Sequence, residues 1–238
     1  MAIIICMDGL AGDPETTFGD LKRELEGVGH KVILIDVEGI ENHSDRINRV
    51  SNCYKEARRN SPEAKIFLAG QSAGGSAVRI ATERMNENGP NGIILLSPAM
   101  PRFIWFGTWT LLHIMVKRFR DLLSKEIRLT DRELTRLLHP LPEKYLQKSL
   151  GNQHPISAEE ARELAFFPPP FIGVNCPVLL IYGKQDRWIA SKAQRKLAEM
   201  LKKKASVTEI PFEGLGHSTL ISSRGHFVQF CIGKWIDR

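Results

Sequence analysis

Five consecutive residues, Gly70-Gln71-Ser72-Ala73-Gly74, carry the pattern G-x-S-x-G. A serine hydroxyl is a poor nucleophile until a base takes its proton and a rigid turn aims it at a carbonyl carbon. Glycines on both flanks remove the Cβ atoms that would collide where a strand turns sharply into a helix. The serine itself can be held in an unfavourable backbone conformation if the fold determines it. A helix beginning at Ala73 would direct free N–H groups toward negative charge developing at the reacting atom. The motif therefore predicts nucleophilic chemistry at Ser72, provided an imidazole and a carboxylate can reach it.

The elements around the motif suit that chemistry. Near-continuous apolar runs at residues 2–6, 32–36, 65–69 and 92–96 read as strands covered on both faces, alternating with helical patterns. Phe18, Leu21, Leu25 and Val28 share one helical face, as do Ile47, Val50, Tyr54 and Ala57, and a helix is expected over residues 73–85. The serine thus follows the third of these strands and precedes a helix. After Leu96 the rhythm breaks until about residue 172. Strands at 177–182 and 206–210, a helix over 191–201 and a last helix carrying Phe227, Phe230, Cys231 and Trp235 then restore it. The expected fold is α/β, a mostly parallel central sheet with helices on both faces. Residues 1–97 and 173–238 would form the core, with 98–172 as a helical lid insertion.

With this motif in this context, the chain resembles the α/β-hydrolase superfamily, whose nucleophile, acid and histidine occur in that order along the sequence. The resemblance implies two further positions. Residues 177–186, Pro-Val-Leu-Leu-Ile-Tyr-Gly-Lys-Gln-Asp, are similar to the segment that supplies the family's carboxylate, which makes Asp186 the expected acid. Capping of the following helix is its alternative role, and Asp36 is a rival acid whose place before Ser72 contradicts the family order. His217, in Gly-Leu-Gly-His-Ser at 214–218, stands where the family carries its histidine. His30, His43 and His226 occupy less suitable elements, and His113, His139 and His154 fall in the insertion. The implied oxyanion hole joins the N–H of Ala73 to that of Leu10, in the loop after the first strand. The family commonly has His-Gly in that loop, whereas this chain has Asp8-Gly9, with Asp8 expected to form the turn. A compact member, starting at the family's third strand, is expected.

Within the insertion, residues 103–116 form an aromatic-rich apolar run too short to span a bilayer. Its expected role is a lid whose Trp105, Trp109 and Met115 line a substrate pocket; the alternatives are packing against the sheet, adsorption to a membrane surface, or the interface of a homodimer. The resemblance implies a small-molecule carboxylic ester as substrate, cleaved through an acyl-enzyme without metal or organic cofactor. A thioesterase or carbon–carbon bond hydrolase would use the same three residues, and a non-catalytic binding protein is the reading from another class.

Composition bounds the rest. At 238 residues, with 42% hydrophobic and 25% charged, one globular domain is the default. The net charge of +6 comes from basic residues spread along the chain with acids nearby, so no nucleic-acid partner is expected. Four scattered cysteines read as reduced core thiols. No targeting segment or membrane insertion is expected, and the cytoplasm follows as the expected location.

Overall fold

The computed structural model describes residues 1–10, 12–85, 88–99, 126–127, 156–157, 159, 163, 173–186, 188–222 and 224–238. Six parallel strands form one sheet: β1 (Ala2–Met7), β2 (Lys31–Leu34), β3 (Lys65–Gln71), β4 (Gly92–Leu96), β7 (Val178–Gly183) and β8 (Val207–Phe212). Their order is β2-β1-β3-β4-β7-β8. The two-residue strands β5 (Glu126–Ile127) and β6 (Ile156–Ser157) pair antiparallel apart from it. Alternate side chains of each strand feed opposite faces. Ile3, Ile5 and Met7 pack with α2 (His43–Asn60), α3 (Ala73–Met85) and α4 (Ser191–Leu201). Ala2, Ile4 and Cys6 pack with α1 (Pro14–Gly27) and α5 (Gly225–Ile236). The α/β class read from the alternation is what the chain forms, with helices on both faces.

Local chemistry accounts for the helix starts. Asp13 caps α1 through the N–H groups of Glu15 and Thr16 with Pro14 at its first position, and Asn42 forms a capping box with Asp45 at α2. One expected face differs in detail, and the last helix shows which of its apolar residues are buried. Val28 is exposed because α1 ends at Gly27, and in α5 the buried face is Val228, Ile232 and Trp235, leaving Phe227 and Phe230 in solvent. β2 stops at Leu34 and leaves Asp36 exposed. The outer strand β8 is only partly buried and contains Pro211, a residue tolerated where one side of a strand has no ladder to complete.

The strand order positions the site. β2 lies on one side of β1 and β3 on the other. The loops leaving β1 and β3 therefore diverge to opposite faces and open a crevice at the carboxyl edge, where open α/β sheets bind ligands.

Candidate active site

Ser72 follows β3 at this crevice with a φ of +55°, in the left-handed region that a non-glycine residue occupies only when its surroundings hold it. The holding is visible. Its N–H donates to Leu96 O at 3.0 Å, and its carbonyl accepts from Ala99 N at 2.8 Å and Ser76 N at 3.2 Å. The flanking glycines are required by contact. A Cβ on Gly70 would lie 2.5 Å from the Gly74 carbonyl, and one on Gly74 would overlap the Met7 carbonyl oxygen and lie 2.5 Å from that of Asp8. The Ser72 side chain is half-buried rather than packed into the core. Ala73 opens α3, so its N–H precedes the first intrahelical bond.

The loop after β1 meets the serine directly, since a Cβ at Gly9 would stand 2.9 Å from Ser72 Cβ and 3.4 Å from its Oγ. Asp8 shapes this loop. Its Oδ1 accepts from Gly9 N at 2.6 Å, its Oδ2 accepts from the Thr17 hydroxyl at 2.7 Å, and Arg46 Nη1 donates to its carbonyl at 2.6 Å. Burial pushes the Asp8 carboxyl above its ordinary value, opposed by those hydrogen bonds and by Arg46. The Gly9 N–H is committed to Asp8, which leaves the half-buried Leu10 as the next donor along the loop.

Asp186 and His217 are brought together although they leave different strands. His217 Nδ1 lies 2.8 Å from Asp186 Oδ2, and both side chains are buried. Asp186 Oδ1 accepts from Trp188 N at 2.7 Å and Ile189 N at 3.0 Å, so both carboxylate oxygens are engaged. These bonds order the loop before α4, whose own cap residue, Ala190, makes no side-chain bond. Capping by Asp186 is thus replaced by a turn that aims its other oxygen at the imidazole. The Trp188 ring stacks on His217, with centroids 5.5 Å apart and planes at 23°. Below them, Gln185 N donates to Leu215 O at 3.0 Å, and a Cβ at Gly183 would overlap the Leu215 and Gly216 carbonyls.

Other candidates fall away. His30 sits at the amino edge of the sheet, accepting the Ala2 N–H at 3.2 Å and facing Asp237 at 3.3 Å. His43 and His226 lie in the first turns of α2 and α5. Asp36 spends its carboxylate on Glu38 N at 2.9 Å. Burial pushes all four thiols up, Cys176 to about 11, so none is an activated nucleophile. Trp105, Trp109 and Met115 lie outside the described residues, as does the body of the expected lid. Among the described residues no helix is long and apolar enough to cross a membrane.

Sequence reading passed over two site neighbours. Gln71 Nε2 donates to the His217 carbonyl at 2.8 Å, and the Trp188 ring covers the imidazole. The available signal for Gln71 was a polar side chain at the end of a buried strand, since a buried amide must find a partner. Trp188 had none beyond standing two residues after Asp186.

Solved structures share this arrangement of elements over nearly the whole chain. A lipase-esterase related protein from Clostridium acetobutylicum is 17% identical with a TM-score of 0.75, covering 98% of this chain and 93% of that one. A monoacylglycerol lipase from Paleococcus ferrophilus is 21% identical with a TM-score of 0.70 over the same shares. A polyneuridine aldehyde esterase is 16% identical with a TM-score of 0.70, covering 98% of each chain. At these identities the likeness shows the fold. No protein of curated function matches the sequence. The family model described as "Serine aminopeptidase, S33" matches residues 2–223. With nearly the full length matched, and a G-x-S-x-G turn at the crevice of a parallel sheet, the chain belongs to that family, within the α/β-hydrolase superfamily.

Proposed function

We propose that this hydrolase cleaves a carboxylic ester of a small, partly apolar molecule through an acyl-enzyme. Ser72 attacks the carbonyl carbon, and His217 takes the hydroxyl proton and returns it to the leaving alcohol. Asp186 holds the imidazole with Nδ1 protonated and stabilises the imidazolium that forms. The N–H groups of Ala73 and Leu10 stabilise the tetrahedral oxyanion. Water then attacks the acyl-Ser72 ester by the same relay, releasing the acid and restoring the serine. The observation that carries this reading is the 2.8 Å contact of Asp186 Oδ2 with His217 Nδ1, at the same sheet edge as a serine held at a φ of +55°. The esterase and lipase names of the structural neighbours favour an ester, and Trp105, Trp109 and Met115 are proposed to line the pocket for its apolar part.

The test is hydrolysis of p-nitrophenyl esters graded by acyl length, beside aminoacyl arylamides suggested by the family's description. The wild type is expected to turn over esters and to react with a fluorophosphonate probe at Ser72. Ser72→Ala should lose activity by on the order of 10⁴-fold or more. Wild-type turnover by that variant would overturn the nucleophile, and cleavage of arylamides with esters untouched would replace the substrate class.

A further inference from the structure

Gln71 ends β3 and immediately precedes Ser72. Its side chain is buried, and its Nε2 donates to the carbonyl oxygen of His217 at 2.8 Å across 146 residues. A carbonyl oxygen only accepts, so the amide must present its NH₂ group to it. The other end of the amide, Oε1, has no hydrogen-bond partner among the described residues. A methionine or leucine would fill the same volume without burying an unsatisfied oxygen. The amide is therefore poorly explained by packing and well explained by the one bond that it makes.

That bond supplies what the other constraints on His217 lack. Asp186 holds Nδ1, Trp188 covers the ring face, and Gln185 with Gly183 seats residues 215 and 216. All four belong to the end of β7 or the loop beyond it. They fix the histidine relative to its acid and leave its distance from the serine to be set elsewhere. Gln71 is covalently joined to Ser72 and hydrogen-bonded to the backbone of His217, so it spans the gap between the two strands that carry nucleophile and base. We infer that Gln71 is a positioning residue that sets the approach of the His217 imidazole to Ser72. The inference rests on the serine hydrolase reading, in which these two residues exchange a proton.

The experiment compares Gln71→Met, Gln71→Glu and Ser72→Ala with wild type on one p-nitrophenyl ester, with thermal unfolding measured alongside. Gln71→Met should lower kcat about 10- to 100-fold, the scale of a displacement near 1 Å, while KM changes little because no substrate contact is removed. Gln71→Glu adds a readout that altered packing would not move. When protonated, its carboxyl can still donate to the His217 carbonyl; when ionised, it repels that oxygen. The pH profile of its kcat should therefore fall on the alkaline side where the wild type holds a plateau, and at mildly acidic pH it should exceed Gln71→Met. Should Gln71→Met fail to fold, the Gln71→Glu profile decides alone. Wild-type kcat in Gln71→Met, or a Gln71→Glu profile parallel to the wild type, overturns the positioning role. If Ser72→Ala is inactive in the same assay, only that role has failed; if Ser72→Ala is active, the reading beneath it has failed.

Discussion

At the scale of single residues, two buried carboxylates in loops at the carboxyl edge of the sheet, Asp8 and Asp186, do different work because their partners differ. Asp186 is engaged at both oxygens, one by the imidazole and one by two backbone N–H groups. Asp186→Asn keeps a carbonyl for the N–H groups but presents an NH₂ group to Nδ1 or forces the other tautomer. A loss in kcat on the order of 10⁴-fold is expected, as when a triad acid loses its charge, with little change in melting temperature. A loss under tenfold would remove Asp186 from the relay. Asp8 instead carries a charge that burial disfavours, which holds its folded-state value above the ordinary 3.8. Its neutral form is therefore the better tolerated in the fold, and the contribution of Asp8 to stability falls as pH rises from 3.8 through the raised value, then levels. Asp8→Asn has no such ionisation. The denaturation midpoint of Asp8→Asn relative to wild type should rise across that window; a constant difference, or one moving in the wild type's favour, would contradict the assignment.

At the scale of elements, the turn between β3 and α3 works because backbone approaches backbone. Gly74 stands where a methyl group would meet two carbonyl oxygens at the end of β1, neither of which can rotate away. Gly74→Ala should destabilise by about 3 kcal/mol or more, as overpacking against rigid atoms does, and should abolish activity. Gly27, in the last turn of α1, has open space where its Cβ would be. Gly27→Ala should stabilise by roughly 0.5–1 kcal/mol through helix propensity and leave turnover unchanged. Urea denaturation of the pair separates the two kinds of glycine, and equal effects would refute the contact argument. The four strands whose loops bear Leu10, Ser72, Asp186 and His217 end at the same edge of a parallel sheet, so the site is a property of the sheet's polarity before it is a property of any loop.

At the scale of the molecule, the sheet joins the two halves of the chain. β4 and β7 are hydrogen-bonded neighbours although residues 97–177 separate them. Where the chain returns to the core, Gly173 N donates to Glu83 Oε1 at 3.1 Å, and Glu83 is paired with Arg79 on α3, both side chains buried. Burial draws the Arg79 guanidinium below its ordinary value, opposed by the Glu83 carboxylate. The pair thus fastens the returning chain to the helix behind Ser72. Glu83→Gln keeps an acceptor for Gly173 but removes the charge facing Arg79, and should destabilise by about 3–5 kcal/mol. An Arg79→Met, Glu83→Gln double substitution, which keeps the acceptor for Gly173 and removes the unpaired guanidinium, should recover most of that loss. A single variant as stable as wild type by denaturant midpoint would show that the charge pair does not fasten the return.

What the amino-acid sequence determined was local in origin. Strand runs, helix faces such as Ile47, Val50, Tyr54 and Ala57, and the glycine-flanked Ser72 follow from periodicity and turn chemistry within a few residues, and apart from Val28 and the end of β2 they take the expected form. Asp186 and His217 were reached by resemblance, from order along the chain. The tertiary structure alone decided what depends on pairing between distant segments. It set the strand order that opens the crevice between β1 and β3, and the half-exposed state of β8. It also turned Phe227 and Phe230 outward, because the buried arc of α5 is chosen by the sheet and α1 rather than by the helix's own composition. The bond from Gln71 to His217 belongs to the same class, since the partner of a buried amide is settled by which backbone the fold delivers to it, 146 residues away.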